Sequence, residues 1–387
     1  MLREKGAAVI FIILWTLVFA GALSPVYLYP SGQPQPTDYV FVILVCLIYF
    51  HSIATAREFP LARIPLCWLL LTCWVVIHCL VSSLVLQSSE FYRVMAFWIY
   101  NTAVASCFLY IAECGEKYSL YIERAICMGL IISGLGVVVS IGEGGRTTGF
   151  FNNPNQLAFF SLLGVSSLLV INRMCLPLKP LTVAAVFSGI AGIFAAASLA
   201  AIAGFCLVVV GYLLANLQAV RLFKFLIMVV LLLMGTVLFD HQVLTDIFEN
   251  VHSRSLVAGG KFDSIGEERN YDRIVAFPEY TIVGAGEGHL ERFYPYNKNE
   301  IHSSFGNLLF AYGIPGMTLF VILLFSLLRN SPLPVWFVVS GPIVYSLTHM
   351  GLRTTLFWIF LSLVWSQYGK KKSCGLESWV PGKIGPM

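Results

Sequence analysis

The sequence predicts an all-α polytopic membrane protein of about twelve transmembrane helices. Three observations carry that prediction. Of 387 residues, 58% are hydrophobic and only 11% are charged, whereas soluble chains carry about 25% charged residues. Mean hydropathy is high, at +0.81. The apolar residues also gather into runs that approach the roughly 20 helical residues needed to cross a hydrocarbon core of about 30 Å. These runs are 7–24, 38–55, 64–86, 91–112, 122–142, 156–172, 181–198, 200–217, 222–239, 303–328, 333–349 and 354–368. The division between 181 and 217 is the least sharp, because IFAAASLAAIAGF offers no polar break, and eleven or thirteen spans also fit. Residues 1–387 are read as a single transmembrane domain, with 240–302 as one large loop and 369–387 as a solvated tail.

Orientation follows from lysine and arginine near the span ends. With the N-terminus inside, fifteen of the 24 fall on the inner side, from Arg3 and Lys5 to the tail with Lys370, Lys371, Lys372 and Lys383. The short outer turns hold only Arg93, Arg146 and Arg353. Both termini are then cytoplasmic, and the turn at 143–156 shares the outer side with the 240–302 loop. The stretch FAGALS at the end of the first run resembles a signal-peptidase site, but the run is long for a signal segment and is read as an anchor.

The ten cysteines lie mostly inside apolar runs, with none in the long loop and no CxxC or Cys/His ligand spacing. Neither a disulfide framework nor a zinc site is expected. His241, Asp240 and His252 are metal-capable residue types, but nothing in their spacing calls for a metal. VGAGEG is glycine-rich, yet it lacks the strand–helix context of a nucleotide-binding loop. No cofactor, metal or nucleic-acid partner is predicted.

Two polar segments stand out. In EGGRTTGFFNNPNQLAFF (143–160), Asn153 followed by Pro154 is a helix start, with asparagine as cap and proline at the first helical position. The free N–H groups of that helix then point outward beside Arg146, which suits a phosphate. A charge pair 4 Å apart is worth about 4 kcal/mol at an effective dielectric of 20. The same residues equally fit a capped helix whose arginine snorkels among headgroups. Gly149 suits a tight turn.

The second segment, GEERNYDRIVAFPEYTIVGAGEGHLERFYPYNKNEIHSSFGNLLFAYGIPG (266–316), carries Arg269, Arg273, Arg292, His289 and His302. Residues 271–279 are expected to form an amphipathic surface helix that buries Ile274, Val275 and Phe277, and Glu267 with Glu268 a solvated face. His302, just before a span, has Glu300 two residues earlier and Ser303, Ser304 and Asn307 around it. A lone histidine at a helix start is usually a cap or interface residue. Here an imidazole oriented by a carboxylate could also take a proton from a hydroxyl.

RTTGFFNNPNQLA resembles the arginine–glycine–asparagine-proline-asparagine motif of the O-antigen ligase and polymerase superfamily. IHSSFGNLLFAYGIPG resembles its second signature, a histidine closing the large periplasmic loop before a Gly-Ile-x-Gly turn. DRIVAFPEYTIVGAGEG is similar to its loop segment of arginine, short helix and Gly-x-Gly. The three occur in family order, and the span layout agrees over nearly the whole chain. The resemblance implies a GT-C-like, metal-independent, inverting glycosyltransferase of the bacterial inner membrane, with its active site on the periplasmic side. Its donor would be an undecaprenyl-diphosphate-linked glycan and its acceptor lipid A–core or a lipid-linked glycan, both within membrane lipid.

By motif, Arg146 and Arg273 would bind the diphosphate. His302 would act as base or position the acceptor, Asn153 and Asn155 would shape the turn, and Gly149, Arg269, Glu300 and Arg353 would complete the site. Two departures are visible. Ser198-Leu199 stands where family ligases often carry Ser-Arg, leaving a third cationic contact that Arg353 could supply, and Ser303 replaces the common asparagine. A twelve-span transporter is the alternative, although its polar groups should sit near mid-membrane. A non-catalytic scaffold would leave Arg146, Arg273 and His302 far apart.

Overall fold

The computed structural model describes residues 2–56, 58–140, 146–175, 177–216, 269–296 and 300–369, the first six by backbone alone. The expected span 222–239 lies outside them. So do residues 240–268 of the long loop, with Asp240, His241, His252, Glu267 and Glu268, as well as 297–299 and the tail 370–387.

The described chain is helical, with no strand among its residues. Among the described residues eight helices precede the long loop: α1 (Leu2–Leu23), α2 (Pro36–Ala54), α3 (Leu66–Leu86), α4 (Glu90–Glu113), α5 (Glu116–Ser140), α6 (Pro154–Ile171), α7 (Pro180–Ala195) and α8 (Leu199–Ala215). The described part of the loop contributes two short α-helices, α9 (Asp272–Ala276) and α10 (Tyr280–Val283). Three more follow: α11 (Ser304–Leu328), α12 (Leu333–Thr348) and α13 (Thr355–Val364). Six of these, α2 to α6 and α11, are long and apolar enough to cross a membrane. The protein is a helical membrane protein.

The apolar runs become helices because in hydrocarbon each backbone N–H and C=O must find its partner within the segment. Burial sorts them. Helix α6 and most of α13 are enclosed, whereas α2 and α3 turn large apolar side chains outward, among them Phe50, Leu66 and Leu84. Where helices cross most closely the residues are small, as expected when backbone packing replaces a hydrophobic driving force. A Cβ on Gly204 of α8 would stand 2.6 Å from the Gly341 carbonyl oxygen of α12, and one on Gly21 of α1 2.2 Å from that of Ala125 in α5.

The bundle has two polar ends. At one, the Glu123 carboxylate joins α5 to its neighbours, accepting from Lys179 Nζ at 2.8 Å, Thr182 Oγ1 at 2.6 Å and Asn172 Nδ2 at 3.2 Å. Arg63 pairs with Glu113 at 2.8 Å at the same end. The other end gathers the starts of α2, α4, α6, α8, α11 and α13 together with the described part of the long loop. Contacts far apart in sequence bind it: Tyr27 N–H donates to Phe150 O (3.1 Å), Asn152 Nδ2 to Tyr29 O (2.8 Å), and Ser304 N–H to His349 O (3.1 Å).

One local expectation is corrected and one is sharpened. Residues 271–279 do not form one surface helix: α9 has five residues, and Val275, expected inside, is 80% exposed while Arg273 is buried. The turn of the helix aims the arginine inward, onto aromatic rings. The expected division within 181–217 is sharp: Ala197, at φ +45°, and Ser198 separate α7 from α8.

Candidate functional site

Asn153 caps α6 as the Asn-Pro pair implies, its backbone extended and its side chain accepting from Gln156 N–H at 2.9 Å. Gly149, at φ +58°, supplies the left-handed turn that brings the preceding residues over this helix start. Arg146 then reaches two elements. Its Nε donates to the Ala196 carbonyl at the α7–α8 break, and its Nη2 donates to Asn155 Oδ1, both at 2.8 Å. The guanidinium therefore completes the break, taking a carbonyl that a continuous helix would have used.

Asn155 passes the contact on. Its carbonyl accepts from Tyr345 Oη of α12 at 2.8 Å. The Tyr345 ring lies flat between Phe159, 4.3 Å away, and His349, 4.5 Å away. His349 ends α12, and its Nδ1 is 2.9 Å from Thr348 Oγ1. Its carbonyl accepts from both the N–H and the Oγ of Ser304, and Ser304 Oγ accepts in turn from Leu352 N–H at 3.1 Å. This buried serine fastens the start of α11 to the turn before α13.

The long loop closes over the same turn. Arg269 Nη1 donates to Thr348 O, Tyr271 Oη donates to Leu347 O, and His302 N–H donates to Arg269 O at 3.1 Å. The His302 side chain is exposed. Arg146, Arg269 and His302 all lie within electrostatic reach of His349. Burial first, then the charges of Arg269 and Arg146 and the nearness of His302, push the His349 imidazole down to about 3. It is neutral at neutral pH, set among cationic groups.

Arg273, expected at the same anion, sits elsewhere. It is 1% exposed, packed 5.5 Å from the Phe293 ring centre, 5.1 Å from Tyr296 and 5.8 Å from Phe310. Burial lowers its pKa below the ordinary arginine value, opposed by Tyr296, Asp272 and Glu300. It anchors the small aromatic core that also holds Ala285 and Ile301.

Arg353 is engaged by carboxylates. Its Nε and Nη2 donate to Glu287 and its Nη1 to Glu300, while Tyr312 Oη donates to the other Glu287 oxygen at 3.1 Å. Burial works against the Arg353 charge, but the two glutamates together outweigh it and hold its pKa above the usual arginine value. The carboxylate of Glu300 thus meets Arg353, and its carbonyl accepts from Asn270 Nδ2 at 2.9 Å. Ser303, where asparagine was the common residue, still caps α11 by accepting from Gly306 N–H at 3.1 Å, since serine and asparagine cap equally well.

The arrangement is two adjoining clusters at one end of the bundle. One carries two cations, Arg146 and Arg269, around the neutral His349, with His302 close by, beside the capped start of α6. The other is a knot in which the Arg353 cation is shared by two carboxylates, Glu287 and Glu300, beside the aromatic cradle of Arg273. His349, Tyr345, Glu287 and Tyr312 were not singled out by sequence. The signal for His349 was its place in THMGLR, a brief polar stretch between two apolar runs, with Tyr345 one helical turn before it. No protein-family model matches the chain, and no curated protein is significantly similar to it.

Proposed function

We propose that this protein is an inner-membrane glycosyltransferase of the O-antigen ligase or polymerase type, with a GT-C-like arrangement of about twelve spans and its site at the periplasmic face. It would move a glycan en bloc from an undecaprenyl-diphosphate carrier to an acceptor sugar hydroxyl. The observation that carries this reading is that Arg146 and Arg269, from distant parts of the chain, meet at the end of α12, Arg146 through Asn155 and the Tyr345 ring stacked on His349, Arg269 through Thr348 O, with His302 held against Arg269 O. A concentration of positive groups beside a helix N-terminus suits a diphosphate.

In this reading Arg146 and Arg269 hold the diphosphate, and Arg273 supports them through the aromatic core of the loop. The acceptor oxygen attacks the anomeric carbon as the bond from that carbon to the phosphate oxygen breaks. The electron pair of that bond leaves on the diphosphate, whose growing charge the guanidiniums stabilise in place, without a call for a metal ion. The hydroxyl proton passes to His302, whose exposed ring can meet an incoming acceptor. Attack opposite the leaving group inverts the anomeric centre. The Arg353 knot holds the loop against the turn before α13.

A transporter would concentrate its polar groups at mid-membrane, whereas the groups described here gather at helix ends. Gene deletion followed by gel analysis of the cell's lipopolysaccharide tests the reading. Loss of all glycan-capped core is expected for a ligase, and core capped by a single repeat for a polymerase. A normal ladder, with every other surface glycan also unchanged, contradicts it.

A further inference from the structure

Helix α11 is broken at Gly313, where φ is +65° and ψ −170°, a conformation essentially confined to glycine. Two residues on, Pro315 has no N–H to give. In a continuous helix the N–H of residue 314 would reach the carbonyl of Phe310, and that of residue 315 the carbonyl of Ala311. The break releases both. The long loop takes them: Ala285 N–H donates to Phe310 O and Gly286 N–H donates to Ala311 O, each at 2.8 Å. The next carbonyl, Tyr312 O, accepts from Trp74 Nε1 of α3 at 3.0 Å. Contact is backbone to backbone, since a Cβ on Gly284 would stand 2.4 Å from Ala311 O and one on Gly313 2.5 Å from Ile282 O.

The depth of this contact can be read from the helices beside it. At 1.5 Å per residue α11, with 25 residues, is about 37 Å long, roughly 7 Å more than a hydrocarbon core. Gly313 lies nine residues after Ser304, about 14 Å from that end. On α3 the His78 ring meets the backbone of Val283 and Gly284. His78 is eight residues before Leu86, about 12 Å from the same polar end. Both measures set the loop turn roughly 10 Å inside the hydrocarbon boundary.

The side chains fit that depth. Ile282 is 63% exposed and Val283 56%, and at this level Ile314 of α11 and Ile77 of α3 are also open, at 57% and 56%. Irregular backbone survives at membrane depth only where protein satisfies its polar groups, and here the broken helix does so. We propose that residues 280–286 form a re-entrant turn seated in the hydrocarbon of the leaflet at the site end, with Ile282 and Val283 touching lipid acyl chains. The turn climbs out at Glu287, directly onto Arg353, so the site has a wall that faces lipid. This inference stands apart from the transfer reaction.

Site-directed spin labelling tests it. Ile282→Cys and Val283→Cys are each made in a chain whose ten native cysteines are replaced, labelled with a nitroxide and reconstituted in phosphatidylcholine–phosphatidylglycerol vesicles. Ile314→Cys serves as the lipid reference and Asn152→Cys as the water reference. Collision with oxygen should exceed collision with a water-soluble nickel chelate at both turn positions, matching Ile314. Nickel-dominated collision, or equal access to both reagents as at a headgroup boundary, overturns the proposal. The readout needs no catalysis, so its failure and that of the transferase reading are separate.

Discussion

Arg146→Ala is expected to lower glycan transfer by at least about 100-fold, the usual loss when one preorganised donor to a developing charge is removed. The side chain has two roles that the experiment must separate. It braces the α7–α8 break through Ala196 O and the start of α6 through Asn155 Oδ1, and hydrogen bonds of a charged group contribute about 1.5–3 kcal/mol each. If bracing were its only role, activity would fall in step with the folded fraction. The proposed role predicts that purified, folded variant is still nearly inactive. Arg146→Lys should remain poor, because an ammonium keeps the charge but cannot reproduce the planar fork. Transfer measured against the folded fraction of each variant decides between the two. Near wild-type specific activity in Arg146→Ala would remove it from the reaction.

The second large effect is expected at His302. Its ring is exposed and its described anchor is a backbone N–H donated to Arg269 O, so truncation to alanine costs little packing and leaves that hydrogen bond intact. Transfer should fall about 100- to 10,000-fold, the range of general acid–base contributions, with thermal stability unchanged. Because the base acts on the acceptor, the loss should appear in kcat, with donor affinity preserved. His349 is the useful contrast. Held near 3 by burial and by the Arg269 and Arg146 charges, it is a poor proton acceptor at neutral pH, and its replacement should act on donor binding. A His302→Ala enzyme with normal kcat would transfer the base assignment elsewhere.

The helices were legible because membrane depth leaves the backbone few choices, and apolar runs of span length mark them directly. The Asn153-Pro154 start was legible for a local reason, since both residues act within one turn of themselves. What could not be read are contacts made across the chain. The α7–α8 break depends on Arg146, about fifty positions upstream, whose partner is a carbonyl with no side-chain signature. The glycines of VGAGEG are visible as a turn, but their purpose, backbone contact with a broken α11, needs the fold. Arg273 carries the motif resemblance, yet its direction is decided by Phe293, Tyr296 and Phe310, which close round it only in three dimensions. His349 reads as the polar end of an apolar run, and it gains meaning only when Arg146 and Arg269 arrive beside it.

The central claim is that Arg146 and Arg269 belong to one anion site, and equilibrium binding of a short-chain polyprenyl diphosphate to the purified protein tests it most directly. Farnesyl diphosphate is a suitable probe, measured on wild type, Arg146→Ala, Arg269→Ala and Arg173→Ala, the last at the opposite end of the bundle. Affinity should fall about 10-fold or more for each of the first two variants, as loss of a charge-assisted contact implies, and should stay unchanged for the third. Equal affinity in all four proteins, or an equal loss in the Arg173 variant, would contradict the account.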